Sequence, residues 1–576
     1  MERRMVYGSV VAIAALIFWT NAFARPEPPF PEDTSYIAKA IFNALNENYK
    51  SARGSLWDFS ADNELSNNWL IRTTNPNNHK YGKSSCGGSE PACVEPFHLP
   101  VCTKDSDCGN PDYVAARCAF LAGSEKKMCV GDGDTQVVQP IYDVLASAKH
   151  YIDIATLGVP DGRFWVAMRK GIAAAVAATA KSEQPLVVRM LMGQYKGQRE
   201  LDLAQVESEI LALVPAKDHD KFILILGISA PSWSTSRLVS WNHSKIIAVD
   251  GRAAIVGGMN LVSDDFLSHS PVSDFSMLVE GAAANQAQAF VNQLWSNLWK
   301  AEAGEGAART SATLAVKRIT RIRLWKAQAY QPFDQTFETA WTRSSSNPGV
   351  AIFSVGRIGD DKTKVPADRA ILAMIEAAKD NVLLMQQSYL SPSLPVAGID
   401  VPVLDSLNVW RDLNKLLARK LEQGVKIKIV LSFSDRQAKS RPPKTVVKGY
   451  PGGNMSETVE RIIRGVPKRN RTEACNKLEV YPLKRQYVHD DQAYISGHWP
   501  NNEPVASHAK VIVVDNKTFY IGSENVYPSE HDEFGFIVDS ATYTPQLWSQ
   551  IGDYRALKDS IDCKAIVADL DKNPDF

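Results

Sequence analysis

Two hydrophobic rhythms take turns along the chain. In "VVQPIYDVLASAKHYIDIATLGVP", Val137 to Pro160, apolar positions first recur at helical spacing. They then close into a β-rich run that stops at a proline-marked break. "PADRAILAMIEAAKDNVLLMQQSYLSP", Pro366 to Pro392, reads the same way. Next come "GIAAAVAATAKSEQPLVVRMLMG" and "LNKLLARKLEQGVKIKIVLSF", each predicting a helix, a short turn and a buried strand. The order holds further on. "AAIVGGMNL", Ala253 to Leu261, matches "TFYIGSENV", Thr518 to Val526. "SDFSMLVEG" from Ser273 matches "DEFGFIVDS" from Asp532. Several elements repeated in one order predict two divergent copies of an α/β unit, roughly Asp134 to Lys300 and Val365 to Asp559. Strands alternating with helices predict, in each copy, a mixed sheet flanked by helices. Ala301 to Gly349 reads as the link between the halves. Gly359 to Lys364, Arg436 to Asn454 and Lys468 to Thr472 read as loops.

Each copy carries one short constellation. "SWNHSKIIAVDG", Ser240 to Gly251, and "ASHAKVIVVDN", Ala506 to Asn516, both hold a His, a Lys two places on and an Asp five places after the Lys. In a strand, residues two apart share a face, so His243 projects with Lys245 and His508 with Lys510. A buried Lys beside a His is costly without an anion, and a phosphate supplies one. One His then attacks phosphorus while the other protonates the leaving oxygen. Neither half alone carries both a nucleophile and an acid, which accounts for the duplication. Gly257 to Asn260 and Gly522 to Asn525 allow close approach of backbone, and Asn260 and Asn525 can donate to phosphate oxygens. Asp274 and Glu533 are placed to accept from the far nitrogen of their own half's His, fixing its tautomer. Asp250 and Asp515 read as strand terminators that hold turns. A lone H-x-K pair would be an ordinary sheet face; the repetition is what carries the chemistry.

Composition narrows the setting. Of 576 residues, 45% are apolar and 22% charged, as in a folded globular protein. Lysines plus arginines, 64, equal aspartates plus glutamates, 64. The basic excess of a dedicated nucleic-acid binder is absent, and "VPKRNRTE" reads as a solvated loop. "MERRM", an apolar run and "NAFA" form the three parts of a secretory signal, residues 1–24, with cleavage after Ala24. The apolar run is short for a membrane anchor, and no later segment is long and apolar enough to span. A secreted protein, extracellular or periplasmic, is expected. Cys86, Cys93, Cys102, Cys108, Cys118 and Cys129 crowd one region, about 86–130, with Cys475 and Cys563 apart. Their irregular spacing favours disulfides over a zinc site, with connectivity left open.

The doubled H-x-K-x4-D and G-(G/S)-x-N motifs resemble those of the phospholipase D superfamily, and most of all the secreted phospholipases D of the actinomycete type. "SWNHSKIIAVDG", "GGMNLVSDDFLSHSPVSD", "HAKVIVVDNKTFYIGSENVYPS" and "FGFIVDS" carry the likeness. A weaker likeness reaches "GSLWDFSADNELSNNWLIRT" and the Cys86–Cys93 region. The resemblance implies a pseudo-twofold pair of α/β/α sandwich halves, 25–330 and 331–576, with the active site in the central cleft. It implies hydrolysis of phosphatidylcholine and related lipids to phosphatidic acid and a head-group alcohol, and transfer of the phosphatidyl group to other alcohols. By the same likeness His243 is the nucleophile and His508 the acid, then base. Lys245, Lys510, Asn260 and Asn525 bind phosphate, and Asp274 and Glu533 orient the histidines. Glu533 departs from the Asp usual there. No cofactor or metal is implied, the partner is a phospholipid membrane or micelle surface, and a monomer is expected. Cys102 to Cys129 look inserted, either as a stapled surface loop or as a module for a membrane, glycan or partner. Three other functions compete: a secreted nuclease, a membrane-bound phosphatidyl transferase, and a binding protein with a dead site. Neutral charge, the lack of a later span and the intact His and Lys in both halves argue against them in turn.

Overall fold

The computed structural model describes residues 30–31, 34–73, 93–94, 99–108, 117–131, 133–194, 201–219, 221–229, 241–267, 270–302, 320–325, 349–359, 363–389, 394–396, 399–401, 409–432, 455–489, 492–499, 503–526, 529, 531–551 and 560–572. The signal-like segment, Cys86, the 436–454 loop and the Cys93 side chain lie outside them. From Ser35 on, the chain forms one unit.

The strands of its two large sheets, in chain order, are β1 (Trp57–Ser60), β2 (Asn63–Glu64), β3 (Leu70–Arg72), β4 (Tyr151–Thr156), β5 (Leu186–Gly193), β6 (Phe222–Ser229), β7 (Ile246–Val249), β8 (Ala253–Gly257), β9 (Phe275–Gly281), β10 (Thr320–Trp325), β11 (Ala351–Arg357), β12 (Asn381–Gln386), β13 (Lys426–Leu431), β14 (Leu478–Pro482), β15 (Lys510–Val514), β16 (Thr518–Gly522) and β17 (Glu533–Asp539). One sheet runs β10-β6-β5-β4-β7-β8-β9-β2, with β3 also on β9. The other runs β1-β11-β17-β16-β15-β12-β13-β14. In each, three parallel strands (β4, β5, β6; β12, β13, β14) adjoin three antiparallel ones (β7, β8, β9; β15, β16, β17). The α/β fold with two mixed sheets is therefore as the periodicity predicts.

The two sheets share one core. Ala254, Val256, Phe275 and Met277 of the first pack in the same apolar cluster as Phe519, Ile521, Phe534 and Phe536 of the second. Helix Ala282–Glu302 lies in this layer through Phe290, whose ring stacks 4.9 Å from Phe534. The outer face of the first sheet has its own cluster, in which helices Gln139–Ala146 and Gly162–Thr179 bury Leu145, Phe164 and Met168.

Three placements differ from expectation. Strand β1 crosses to the second sheet and pairs antiparallel with β11, although the chain around it continues into the first. Within the segment read as a link, β10 adds antiparallel to β6, covering an edge that would otherwise expose unpaired backbone. Lys468–Thr472 is a 3-10 turn running into helix Arg471–Cys475, because Ala474 and Cys475 are buried and Cys475 is bonded to Cys563. In the Cys-rich region Cys102 pairs with Cys118 and Cys108 with Cys129. The Cys475–Cys563 bridge closes 88 residues. Replacing both with Ser is expected to cost about 2–4 kcal/mol, read as a lower denaturation midpoint under non-reducing conditions.

Candidate active site

The site is built by backbone first. The two histidines do not stand in strands, as their alternation suggests, but in the extended lead-ins to β7 and β15. Each lead-in leaves its own sheet to pair with the other half. Asn242 forms a parallel bridge with Asp532, and Ser507 one with Ser273. His243 N–H donates to the Asp532 carbonyl at 3.0 Å and Asp532 N–H to Trp241 at 3.0 Å; His508 N–H donates to Ser273 at 2.8 Å and Ser273 N–H to Ala506 at 2.8 Å. In a parallel pairing the next residue on each strand lies alongside the next on its partner. That sets His243 beside Glu533 and His508 beside Asp274.

The side chains follow. His243 Nδ1 lies 3.0 Å from both Glu533 carboxylate oxygens, and His508 Nδ1 lies 2.8 Å from Asp274 Oδ2. The assignment of each acid to its own half's His is thus corrected: the pairs are crossed. All four groups, with Lys245 and Lys510, are buried. Lys245 Nζ donates to the His243 carbonyl and Lys510 Nζ to that of His508, 2.7 Å away, so each ammonium is folded back toward its His.

So many ionisable groups buried together hold their charges poorly, and the proton affinities show it. Burial lowers both histidines well below the ordinary range, and the two lysines lower them further. Burial brings Lys245 down to about 7 and Lys510 to about 8, against the pull of Glu533 and Asp274. Burial pushes Asp274 up to about 7, with Lys510 opposing. An anion placed among these groups supplies the missing countercharge. Binding it raises the lysine values, so proton uptake begins near pH 7, where Lys245 starts to lose its proton, and affinity falls as pH rises from there. For a monoanionic phosphonate diester, Kd is expected to rise by up to about tenfold per pH unit. Titration calorimetry in buffers of differing ionisation enthalpy would show the proton uptake.

Asn260 and Asn525 are both buried after β8 and β16. Neither amide atom of Asn525 has a hydrogen-bond partner among the described residues, an arrangement that a phosphate oxygen on Nδ2 would relieve. A Cβ at Gly258 would sit 2.3 Å from Asp274 Oδ1, so only glycine lets the loop pass this acid. Asp250 and Asp515 stand apart from the chemistry. Each has a left-handed backbone, φ 53° and 52°. Each carboxylate accepts three backbone N–H groups, from Lys149, His150 and Tyr151 or from Lys379, Asp380 and Asn381. They tie β7 to β4 and β15 to β12, as turn-holding residues should.

Sequence reasoning missed four buried residues. The His531 ring lies between Trp241, 4.3 Å away, and His243, 4.9 Å away. Arg357 joins Asp368, Glu524 and Glu533 at 3.1, 3.0 and 3.7 Å. A signal existed. Glu524 and His531 stand where the first copy has Met259 and Val272, and a polar residue replacing an apolar one within a repeat marks a site. Among the described residues, Cys102, Cys108 and Cys129 have metal-ligand spacing, but their sulfurs are in disulfides.

Two crossed His–acid pairs, two lysines and the amides of Asn260 and Asn525 form a site suited to an anionic phosphodiester. A curated relative matches over most of the chain. The chain is 25% identical over 590 aligned residues to the phospholipase D of Streptomyces antibioticus, spanning 95% of this chain and 90% of that one. No family model matches. Among solved structures, the phosphatidylserine synthase of Haemophilus influenzae superposes with a TM-score of 0.45 at 13% identity, over 76% of this chain and 90% of its own. Nuc from Salmonella typhimurium, a phospholipase D family member, gives 0.18 at 17%, over 33% and 88%.

Proposed function

We propose that the protein is a secreted phospholipase D acting on phosphatidylcholine and related glycerophospholipids at a membrane or micelle surface. The observation that carries the reading is the pair of crossed His–acid dyads, supported by the end-to-end likeness to a phospholipase D. His243 Nε2 attacks phosphorus, forming the P–N bond as the bond to the head-group oxygen breaks. His508 gives its proton to that oxygen. Lys245, Lys510, Asn260 and Asn525 hold the non-bridging oxygens, while Glu533 and Asp274 hold the Nδ1 protons of His243 and His508. His508 then takes a proton from water, whose oxygen displaces His243 and leaves phosphatidic acid. An alcohol in place of water gives the phosphatidyl alcohol. One chain supplies both half-sites, so a monomer suffices. The three disulfides among the described residues suit an oxidising compartment, and the signal-like residues 1–24 suit export.

The test is choline release from phosphatidylcholine vesicles, with EDTA present and ethanol added. Choline and phosphatidylethanol are the expected products. Vesicles left intact while single-stranded DNA or RNA is cut would move the same residues to a nuclease.

A further inference from the structure

The two half-sites are not equivalent, and the difference lies behind the acids. Asp274 is backed by neutral groups. Its own N–H bonds Thr73 Oγ1 at 2.9 Å, and its Oδ1 accepts from the Phe275 N–H at 2.7 Å. Glu533 is backed by a full charge. Arg357 closes β11 opposite Glu533, the first residue of β17, and its Nη2 lies 3.7 Å from Glu533 Oε1. The other donors of the same guanidinium are taken by the segment leading to Glu533 and by two acids. Nε donates to the His531 carbonyl at 3.1 Å and Nη2 to Ser529 Oγ at 2.9 Å. Nη1 donates to Asp368 at 3.1 Å and to Glu524 at 3.0 Å. One planar fork thus grips Ser529, His531 and Glu533, three residues of the strand lead that meets His243. Among the described residues, Thr73 is the one bonded to the Asp274 backbone, where the second half sets Arg357 across from Glu533.

We propose that Arg357 is a positioning residue: its guanidinium fixes the Glu533 carboxylate on His243, and so keeps this His, and not His508, ready to attack phosphorus. The inference rests on the phosphodiesterase reading of the site and adds to it a second layer of control. Burial opposes the charge on Arg357, but Glu524, Asp368 and Glu533 outweigh it and leave the guanidinium well above its usual range. Burial, and then Asp368, push the Glu524 carboxyl well above the ordinary carboxylate range, against the pull of Arg357. The Lys alternative would not do the same work, because an ammonium cannot reach four partners in one plane. The other ionisable groups facing the His243–Glu533 pair are Lys245, Lys510, His508, His531, Glu524 and Tyr520. None of them touches both the Glu533 carboxylate and the backbone that carries it.

The test compares wild type, Arg357→Lys, and Arg357→Met paired with Asp368→Asn so that no second acid is left unpaired. Turnover is followed against pH on a soluble phosphodiester with a good leaving group, with thermal unfolding as the folding control. Losing the positive charge makes the His243–Glu533 pair take its proton at higher pH, whichever member holds it. The acidic limb of the kcat profile is expected to move up by about one unit or more in the Met variant. The Lys variant should restore the limb but not the full rate, because it keeps the charge and loses the fork. A Met variant that is folded and merely slower, with its limb unmoved, would overturn the proposal. Histidine-labelled protein gives the same answer without substrate. The His243 ring titration, assigned with a His243→Gln variant, should move up in the Met variant. An unmoved ring rejects the role of Arg357, whereas a wild type inert to every phosphodiester rejects the functional reading and leaves the ring result standing by itself.

Discussion

Replacing His243 with Ala is expected to reduce phosphodiester turnover by about 10^4-fold or more, with the fold intact. The size follows from what the residue would do. In the proposed reaction it forms the covalent bond to phosphorus, and no neighbour can take over. His531 is the nearest ring, 4.9 Å away, but it stacks on His243 instead of pairing with an acid. Lys245 is folded onto the His243 carbonyl. The variant should also lose transfer to alcohols in proportion, because both acceptors draw on the same intermediate. Acid-quenched protein incubated with lipid labelled at phosphorus checks this directly: label retained by wild type and absent from the variant supports attack by His243. Label on the variant at His508 would reverse the two roles. Stability should fall without loss of the fold, since removing the ring leaves a cavity and takes the Nδ1 partner from the buried Glu533 carboxylate.

What the sequence made legible was whatever repeats. The two His–Lys pairs, the two turn-holding aspartates and the two asparagines stand at equal offsets in both copies, so comparing one half with the other exposes them. The succession of helices and strands along each copy was legible for the same reason, since helical and β rhythms recur in one order. The pairing of acid with histidine was not. A repeat sets Asp274 next to His243 in the sequence, whereas the contact that matters is between residues 290 apart, His243 and Glu533. It depends on each lead-in leaving its own sheet for a parallel bridge with the other half, and short stretches of two to three residues have no rhythm to read. Strand β1 escaped similarly: four residues, "WDFS", alternate in burial, but nothing local says which sheet they join. Arg357 was invisible because an arginine at a strand end is ordinarily solvated. Only the convergence of Asp368, Glu524 and Glu533, from three separate parts of the chain, makes it a buried centre.

The crossed pairing itself makes a sharp prediction. Asp274→Asn should behave like His508→Ala, and unlike His243→Ala, though Asp274 lies in the half that carries His243. An amide can hold the ring in place but cannot take the carboxylate's role toward Nδ1–H, and it favours the wrong tautomer. Losses of about 10^3–10^4-fold are expected for such a change. The two steps separate by choice of substrate. With a leaving group that departs without a proton, the first step needs no acid, so both Asp274→Asn and His508→Ala should give one rapid turnover and then stall as the phosphohistidine. Glu533→Gln and His243→Ala should show no burst. Double variants make the comparison quantitative. Asp274→Asn combined with His508→Ala should cost little more than the worse of the two, because they disable one unit; Asp274→Asn combined with Glu533→Gln should cost more than either alone. If Asp274→Asn instead removes the burst and proves redundant with His243→Ala, the acids serve their own halves during catalysis and the bridge-dictated pairing is a resting arrangement. The geometry argues against that outcome. Exchanging partners would require the His508 Nδ1 contact of 2.8 Å and both 3.0 Å contacts of Glu533 to break together, among buried groups whose unpaired polar atoms are costly.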